Sequence, residues 1–310
     1  DTPVKRSRHL LSSGKGGFTL ESNEMTASTT GKPRELQGFL NHRIYHPAAR
    51  RLAMALARTP ITPNMVSVFG ALMVCTTGVL YARVGTPLAI GVGFALHLLW
   101  HVVDGADGDL ARMTGRASPF GEVVDGLCDY GGHVVLYLLL GYTLQQVAGP
   151  WVWVIVVGAG ASRIVQSVFA ESSRRTYQWW VYGVPWIQHN RAAPRGVGGA
   201  LARFYLTVSH ALTGPTERIN ALVTSAEADP AERQRIARLA KETGRRTLLL
   251  PALLGANPRT ILLGLSMIAG SPMWFFLIEL AVLNAVLLVA IVQQRANCSR
   301  LVQLIARGRD

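Results

Sequence analysis

The sequence predicts an all-α polytopic membrane protein, with six transmembrane helices behind an N-terminal interfacial amphipathic helix. Three observations carry that prediction. Of 310 residues, 49% are hydrophobic and only 16% charged, against about 25% charged in soluble domains. Apolar runs recur at the roughly 20-residue length that spans a bilayer. The basic residues, 31 Lys and Arg against 18 acids for a net charge of +13, gather in tails and alternate loops. Disorder and an ordinary soluble enzyme are excluded on these grounds.

Residues 1–35 lack the apolar core of a secretory signal and read as a disordered basic tail. In residues 36–58, Leu36, Phe39, Leu40 and Ile44, then Leu52, Ala55 and Leu56 beyond Pro47, recur on helical faces. Arg43, Arg50, Arg51 and Arg58 fall elsewhere, the pattern of a helix lying on a membrane surface. Thr62 is placed to cap the first span and Pro63 to open it. Spans are expected at 65–82, 87–103, 123–145 and 151–170, then at 247–269 and 273–293. Asn257, Pro258 and Arg259 interrupt the fifth. Polar backbone at membrane depth is tolerated where protein or a wet cavity covers it, so these residues either line a cavity or the helix starts later.

The run YQWWVYGVPW at 177–186 is expected as an interfacial aromatic belt, with Trp179 and Trp180 as anchors. Residues 187–246, mixing Gly, Pro and charge, read as a cytoplasmic insert with one helix near 231–246 and no separate domain. The membrane domain is thus expected over 36–295, with a tail at 296–310. With the N-terminus inside, Arg83 is the basic residue left in an outer loop, and Arg163 and Arg259 lie within helices. The remaining Lys and Arg mark tails and inner loops, so both termini are expected on the cytoplasmic side of the cell membrane. That asymmetry accounts for a pI of 10.4 without a nucleic-acid partner, and draws anionic lipid and substrates to the inner face. Cys75, Cys128 and Cys298 have no spacing that suits a disulfide framework or zinc.

The chemistry is concentrated where the second span ends and the third begins. Asp104, Asp107, Asp109, Glu122, Asp125 and Asp129 fall within 26 residues, and a carboxylate in a spanning segment marks a functional site by default. Asp104 and Asp107 are i,i+3 and Asp125 and Asp129 i,i+4, so each pair shares a helix face. Two antiparallel helices then aim four carboxylates at one spot. All-oxygen ligand sets suit Mg²⁺, Mn²⁺ or Ca²⁺ rather than zinc, and two such ions could clamp a pyrophosphate during an in-line displacement. Gly105, Gly108 and Gly121 admit a ligand close to the backbone. Arg112 can fork onto a phosphate, while Asp109 is expected to face solvent.

The string Asp104-x2-Asp107-Gly108-x2-Ala111-Arg112-x8-Gly121-x3-Asp125-x3-Asp129 resembles the signature of the CDP-alcohol phosphotransferase (CDP-alcohol phosphatidyltransferase) family. Eight fixed positions match by chance on the order of 10⁻¹⁰ per start. The signature covers 26 residues, and the chain plan is similar over roughly 36–295. The resemblance implies that a CDP-linked donor loses CMP as its phosphoalcohol group passes to a second alcohol, in phospholipid headgroup synthesis. It implies Asp104, Asp107, Asp125 and Asp129 as ligands of two divalent ions, Mg²⁺ or Mn²⁺, with Asp129 also the general base. Gly108, Ala111, Arg112 and Gly121 would line the CDP site, Asn64 could reach it, and a homodimer is implied.

The donor is expected to be CDP-diacylglycerol, and the wording of the motif leans to an inositol phosphate or related polyol acceptor. A CDP-polyol or CDP-amino-alcohol donor, with a polar phosphate or diacylglycerol as acceptor, is the alternative. A cation transporter is the rival from another class, and it would spread acids along a pore. For a phosphate on the acceptor, Arg163 and Arg259 are the candidates, followed by Arg174 and Arg175. His97 and His101, i,i+4, have a zinc-compatible spacing but no third ligand, and are expected to make polar contacts within the bundle. Glu279, in the sixth span, has no assigned partner in the sequence.

Overall fold

The computed structural model describes residues 34–36, 38–84, 86–184, 197–213 and 216–307. Among them there are helices and no strand. Six helices are long and apolar enough to cross a membrane: Pro63–Ala82, Pro87–Met113, Phe120–Ala148, Val152–Tyr182, Pro230–Ile268 and Met273–Arg307. The expected tail 1–35 falls almost wholly outside the described residues, as do 187–196 and 214–215 of the expected insert.

The amphipathic segment enters through a π-turn, Asn41–Tyr45, and continues as α1, His46–Leu56. Its small residues Ala49 and Ala53 are buried against Val103, Ala106 and Leu110, which seats α1 on the third helix. Helix α2, Pro63–Val79, opens as expected, with Pro63 in its first turn and Thr62 Oγ1 accepting from Met65 N at 3.4 Å. A π-turn, Leu80–Val84, prolongs it.

Helix α3 runs Pro87–Met113, ten residues past the expected end at 103, so the first half of the acidic motif is a continuous helix rather than its mouth. It stops where Gly115 takes φ +64°, a left-handed position that glycine fills at little cost. Ser118 then caps α4, Pro119–Ala148, accepting from Gly121 N at 3.0 Å. Helices α2 and α4 approach closely: a Cβ on Gly132 would lie 3.3 Å from the Ala71 backbone, and one on Gly78 would lie 2.9 Å from Leu139.

Helix α5, Val152–Tyr182, has 31 residues and at 1.5 Å per residue is about 46 Å long, against roughly 30 Å of hydrocarbon. Its last turns therefore extend past the bilayer, where α6 (Val197–Thr213), α7 (Thr216–Ser225) and α8 (Pro230–Gly244) gather around them and around the end of the C-terminal helix that carries Leu301. Trp179 and Trp180 are 6% and 2% exposed there, packed with Ile219, Val223, Ile236 and Leu301. The aromatic belt expected of these two tryptophans is thus corrected to the core of a helical cap. Arg233 closes the cap at the end of α5, donating to the Trp180 carbonyl at 2.8 Å and to the Trp179 carbonyl at 2.9 Å, the latter also accepting from Gly183 N at 3.1 Å.

The fifth span is broken. Helix α9, Leu249–Leu253, ends at Leu254, and α10, Ala256–Ile268, begins after Gly255. The interruption foreseen at 257–259 thus lies within the first turns of α10. The last span comprises α11, Met273–Leu277, a π-turn at Ile278–Val282, and α12, Leu283–Arg307. In the π-turn the Glu279 carbonyl accepts from Gln166 Nε2 at 3.2 Å. The membrane core is formed by Trp100, Leu136, Leu140, Val156, Leu263, Phe275 and Phe276, contributed by five of the spans.

Candidate active site

The hairpin of α3 and α4 brings the motif together at one end of the bundle. Asp104, Asp125 and Asp129 each offer a carboxylate oxygen within 4.8 Å of the others, all half-buried. Asp107, 4% exposed, lies beside Asp125 at the edge of this group, as Asp104 lies beside Asp129. Among the described residues this is the one cluster of His, Cys, Asp or Glu with metal-binding spacing. Four carboxylates in so small a volume repel one another strongly at low dielectric. A hard divalent cation is the counter-charge that an all-oxygen set fits.

Asp107 is held on both sides. Its Oδ2 accepts from Ser67 Oγ of α2 at 2.6 Å, and its Oδ1 from Gly108 N at 2.5 Å. Ser67 escaped sequence reading, because a single hydroxyl in an apolar run carries no signal of which helix it faces. Asn64, one turn earlier on α2, places its Oδ1 beside Gly121, where an added Cβ would sit 3.6 Å away. Ala111 is half-buried. Arg112 is exposed, and its guanidinium lies over Gly108 while pairing with Asp109 at 2.7 Å. Asp109, expected to face solvent, is thus the residue that steadies Arg112. Gly105 also departs from expectation: a Cβ there would come within 3.1 Å of Ala49 Cβ, so its missing side chain admits α1 rather than a ligand.

The four arginines considered for an acceptor have different fates. Arg163 of α5 lies over the Tyr137 ring, 5.6 Å from its centroid, and donates to the Tyr137 hydroxyl at 3.4 Å. It forms no ion pair among the described residues. Asp125, Asp129, His133 and Tyr137 are spaced by four on α4, so Arg163 meets the same face as the carboxylates, about 12 Å along the axis from Asp129.

Arg259 contradicts its expected role. It is 2% exposed, with Nε on Glu279 at 2.9 Å, Nη2 on Gln166 at 2.6 Å, and Nη1 on Ser167 and on the Leu254 carbonyl. That last bond satisfies a carbonyl freed by the break between α9 and α10. Glu279 is therefore the structural partner of Arg259. Arg174 and Arg175 both bind Glu171, at 2.5 and 2.7 Å. His97 and His101 converge on Thr260 Oγ1 at 3.4 and 3.0 Å, with Trp100 and His133 packed beside them.

Fold and site define a polytopic all-α membrane protein with a carboxylate centre at one end of its bundle. The sequence model of the CDP-alcohol phosphatidyltransferase family matches residues 60–212, from the entry of α2 almost to the end of α6, and the chain belongs to that family. It is a transferase of substituted phosphate groups, acting between a CDP-alcohol and an acceptor. No curated protein matches the chain.

Proposed function

We propose that this enzyme transfers a phosphatidyl group from CDP-diacylglycerol to a polyol acceptor, with an inositol phosphate the leading candidate, and releases CMP. The observation that carries this reading is the convergence of Asp104, Asp125 and Asp129 within 4.8 Å, with Asp107 at their edge. These four residues would hold divalent ions, Mg²⁺ or Mn²⁺. When bound, such ions supply positive charge for the pyrophosphate oxygens and for the departing phosphate of CMP.

The chain's own residues supply the rest. Asn64, Gly108, Ala111 and Gly121 would bound the CDP pocket, small side chains letting the nucleotide approach α3 and α4. Arg112, steadied by Asp109, would meet a phosphate with two donors. Asp129 would take the proton of the acceptor hydroxyl as its oxygen forms the new bond to phosphorus. The bond from that phosphorus to the bridging oxygen breaks, and CMP leaves with the electron pair. Arg163 has donors beyond its single Tyr137 contact and would receive a phosphate carried by the acceptor.

A lipid-linked donor fits the apolar face that α2 leaves exposed beyond Asn64, formed by Met65, Val68, Phe69 and Leu72. We read the enzyme as a homodimer on the family likeness, and the distribution of Lys and Arg supports a site and both termini on the cytoplasmic side of the cell membrane. The test is CMP release by purified protein in detergent with Mg²⁺ or Mn²⁺. CDP-diacylglycerol is offered with inositol phosphate, inositol, glycerol phosphate or serine, beside an Asp129→Asn control. Release with inositol phosphate that Asp129→Asn abolishes supports the reading. Release confined to another acceptor overturns the acceptor, and undiminished release from Asp129→Asn overturns the base.

A further inference from the structure

The carboxylates of this centre come from α3 and α4, yet one of them is fastened from a third helix. Ser67 lies on α2, 7% exposed, and donates to Asp107 Oδ2 at 2.6 Å, while Asp107 is 4% exposed. The hydroxyl carries one hydrogen and has one other acceptor in reach, the Pro63 carbonyl one turn back at 3.3 Å. The shorter contact, to a carboxylate, is the stronger of the two. A β-carboxylate rotates about two bonds, and with Oδ1 on the adjacent Gly108 amide the Ser67 bond is the contact from another helix that holds Asp107 at the rim of the Asp104–Asp125–Asp129 group. The two remaining α2 residues nearest in sequence, Val66 and Val68, offer no side-chain donor that could replace it.

We infer that Ser67 is a positioning residue, aiming the Asp107 carboxylate at the ion-binding centre from α2 and making α2 part of that centre. The inference rests on the metal-dependent reading of the four aspartates. Partners that orient a metal ligand typically change metal affinity or activity 10- to 100-fold when removed. Ser67 also sits one turn from Asn64, at the mouth of the pocket expected for the nucleotide, so α2 would register the nucleotide pocket against the metal centre through two polar residues. A hydroxyl that merely filled space would leave ion affinity unchanged when replaced by a side chain of similar size.

The experiment is Mn²⁺ binding to the purified full chain in detergent, followed by the electron paramagnetic resonance of free Mn²⁺, with the Mn²⁺ dependence of CMP release as a second readout. Wild type, Ser67→Ala, Ser67→Thr and Asp104→Asn are compared, with size-exclusion profile and thermal midpoint recorded for each. The expected result is at least a tenfold weaker Mn²⁺ Kd in Ser67→Ala, with most of the loss recovered in Ser67→Thr, which restores the hydroxyl. If Ser67→Ala does not give monodisperse protein, Ser67→Cys, with a poor donor of similar shape, takes its place under the same expectation.

Mn²⁺ affinity in a folded Ser67→Ala equal to wild type, while Asp104→Asn loses binding, overturns the role of Ser67 and leaves the metal centre standing. Ser67→Thr as weak as Ser67→Ala also overturns it. Absence of Mn²⁺ binding by wild type overturns the metal centre itself and the positioning role with it.

Discussion

Arg259 donates through Nε to Glu279 Oε1 at 2.9 Å, in a pair exposed by 2% and 0%. The pair joins the start of α10 to the π-turn of the last span, and Gln166 of α5 touches both partners, donating to the Glu279 carbonyl and accepting from Arg259. Removing one member of a buried pair leaves an uncompensated charge and costs about 3–5 kcal/mol, whereas replacing both with apolar residues of similar volume is often nearly neutral. Glu279→Ala is therefore expected to lower the thermal midpoint in detergent sharply, and Arg259→Met combined with Glu279→Met to recover much of the loss. A double variant no more stable than the single one refutes this account of the pair.

Arg233 ties the cap to the end of α5 through two carbonyls. Hydrogen bonds from a charged group are worth roughly 1.5–3 kcal/mol, so Arg233→Ala should loosen α8 against α5. Hydrogen–deuterium exchange is expected to rise in 230–244 and 176–182, with little change in α3 and α4. Uniform exchange across the chain would mean that the cap and the bundle unfold as one unit.

Helix α10 meets α3 at Gly264, where any Cβ would overlap the ring of Phe94. Overpacking of this kind costs typically 1–3 kcal/mol. Gly264→Val should lower the thermal midpoint, and adding Phe94→Ala should restore part of it by opening the space. Additive losses in the double variant would show that the two side chains do not share that space.

Arg163 gives a kinetic test of acceptor class. With a phosphorylated acceptor, Arg163→Ala is expected to raise the acceptor KM about tenfold, equivalent to about 1.4 kcal/mol of binding, with a smaller effect on kcat. With a neutral polyol the same substitution should leave KM nearly unchanged. Equal shifts for both acceptors in steady-state kinetics would remove Arg163 from the phosphate subsite.

The sequence made the spans and the acidic motif legible because both are local. Thr62 and Pro63 announce α2, and the spacing of Asp104, Asp107, Asp125 and Asp129 announces two helix faces that meet. What escaped was set by partners far along the chain. Trp179 and Trp180 look like interfacial residues until Ile219 and Ile236, some 40 to 60 positions away, cover them. Gly105 reads as a ligand site until Ala49 occupies its vacant volume. Arg259 reads as an anion receptor until Glu279 claims it. An apolar helix states its period, and the period does not tell a lipid-facing side from a protein-facing one.

The π-turn at Ile278–Val282, where Leu283 N reaches back five residues to Ile278 O, holds one residue more than the α-helical turn it replaces. Deleting a residue there would regularise the helix while Phe276 before it and Leu287 after it kept their directions. The Glu279 carbonyl would then return to the ladder and Gln166 would lose its acceptor. Any sequence that lacks the surplus residue must be aligned with a single gap at this turn; without the gap, every position on one side of it is compared with a neighbour that faces about 100° away.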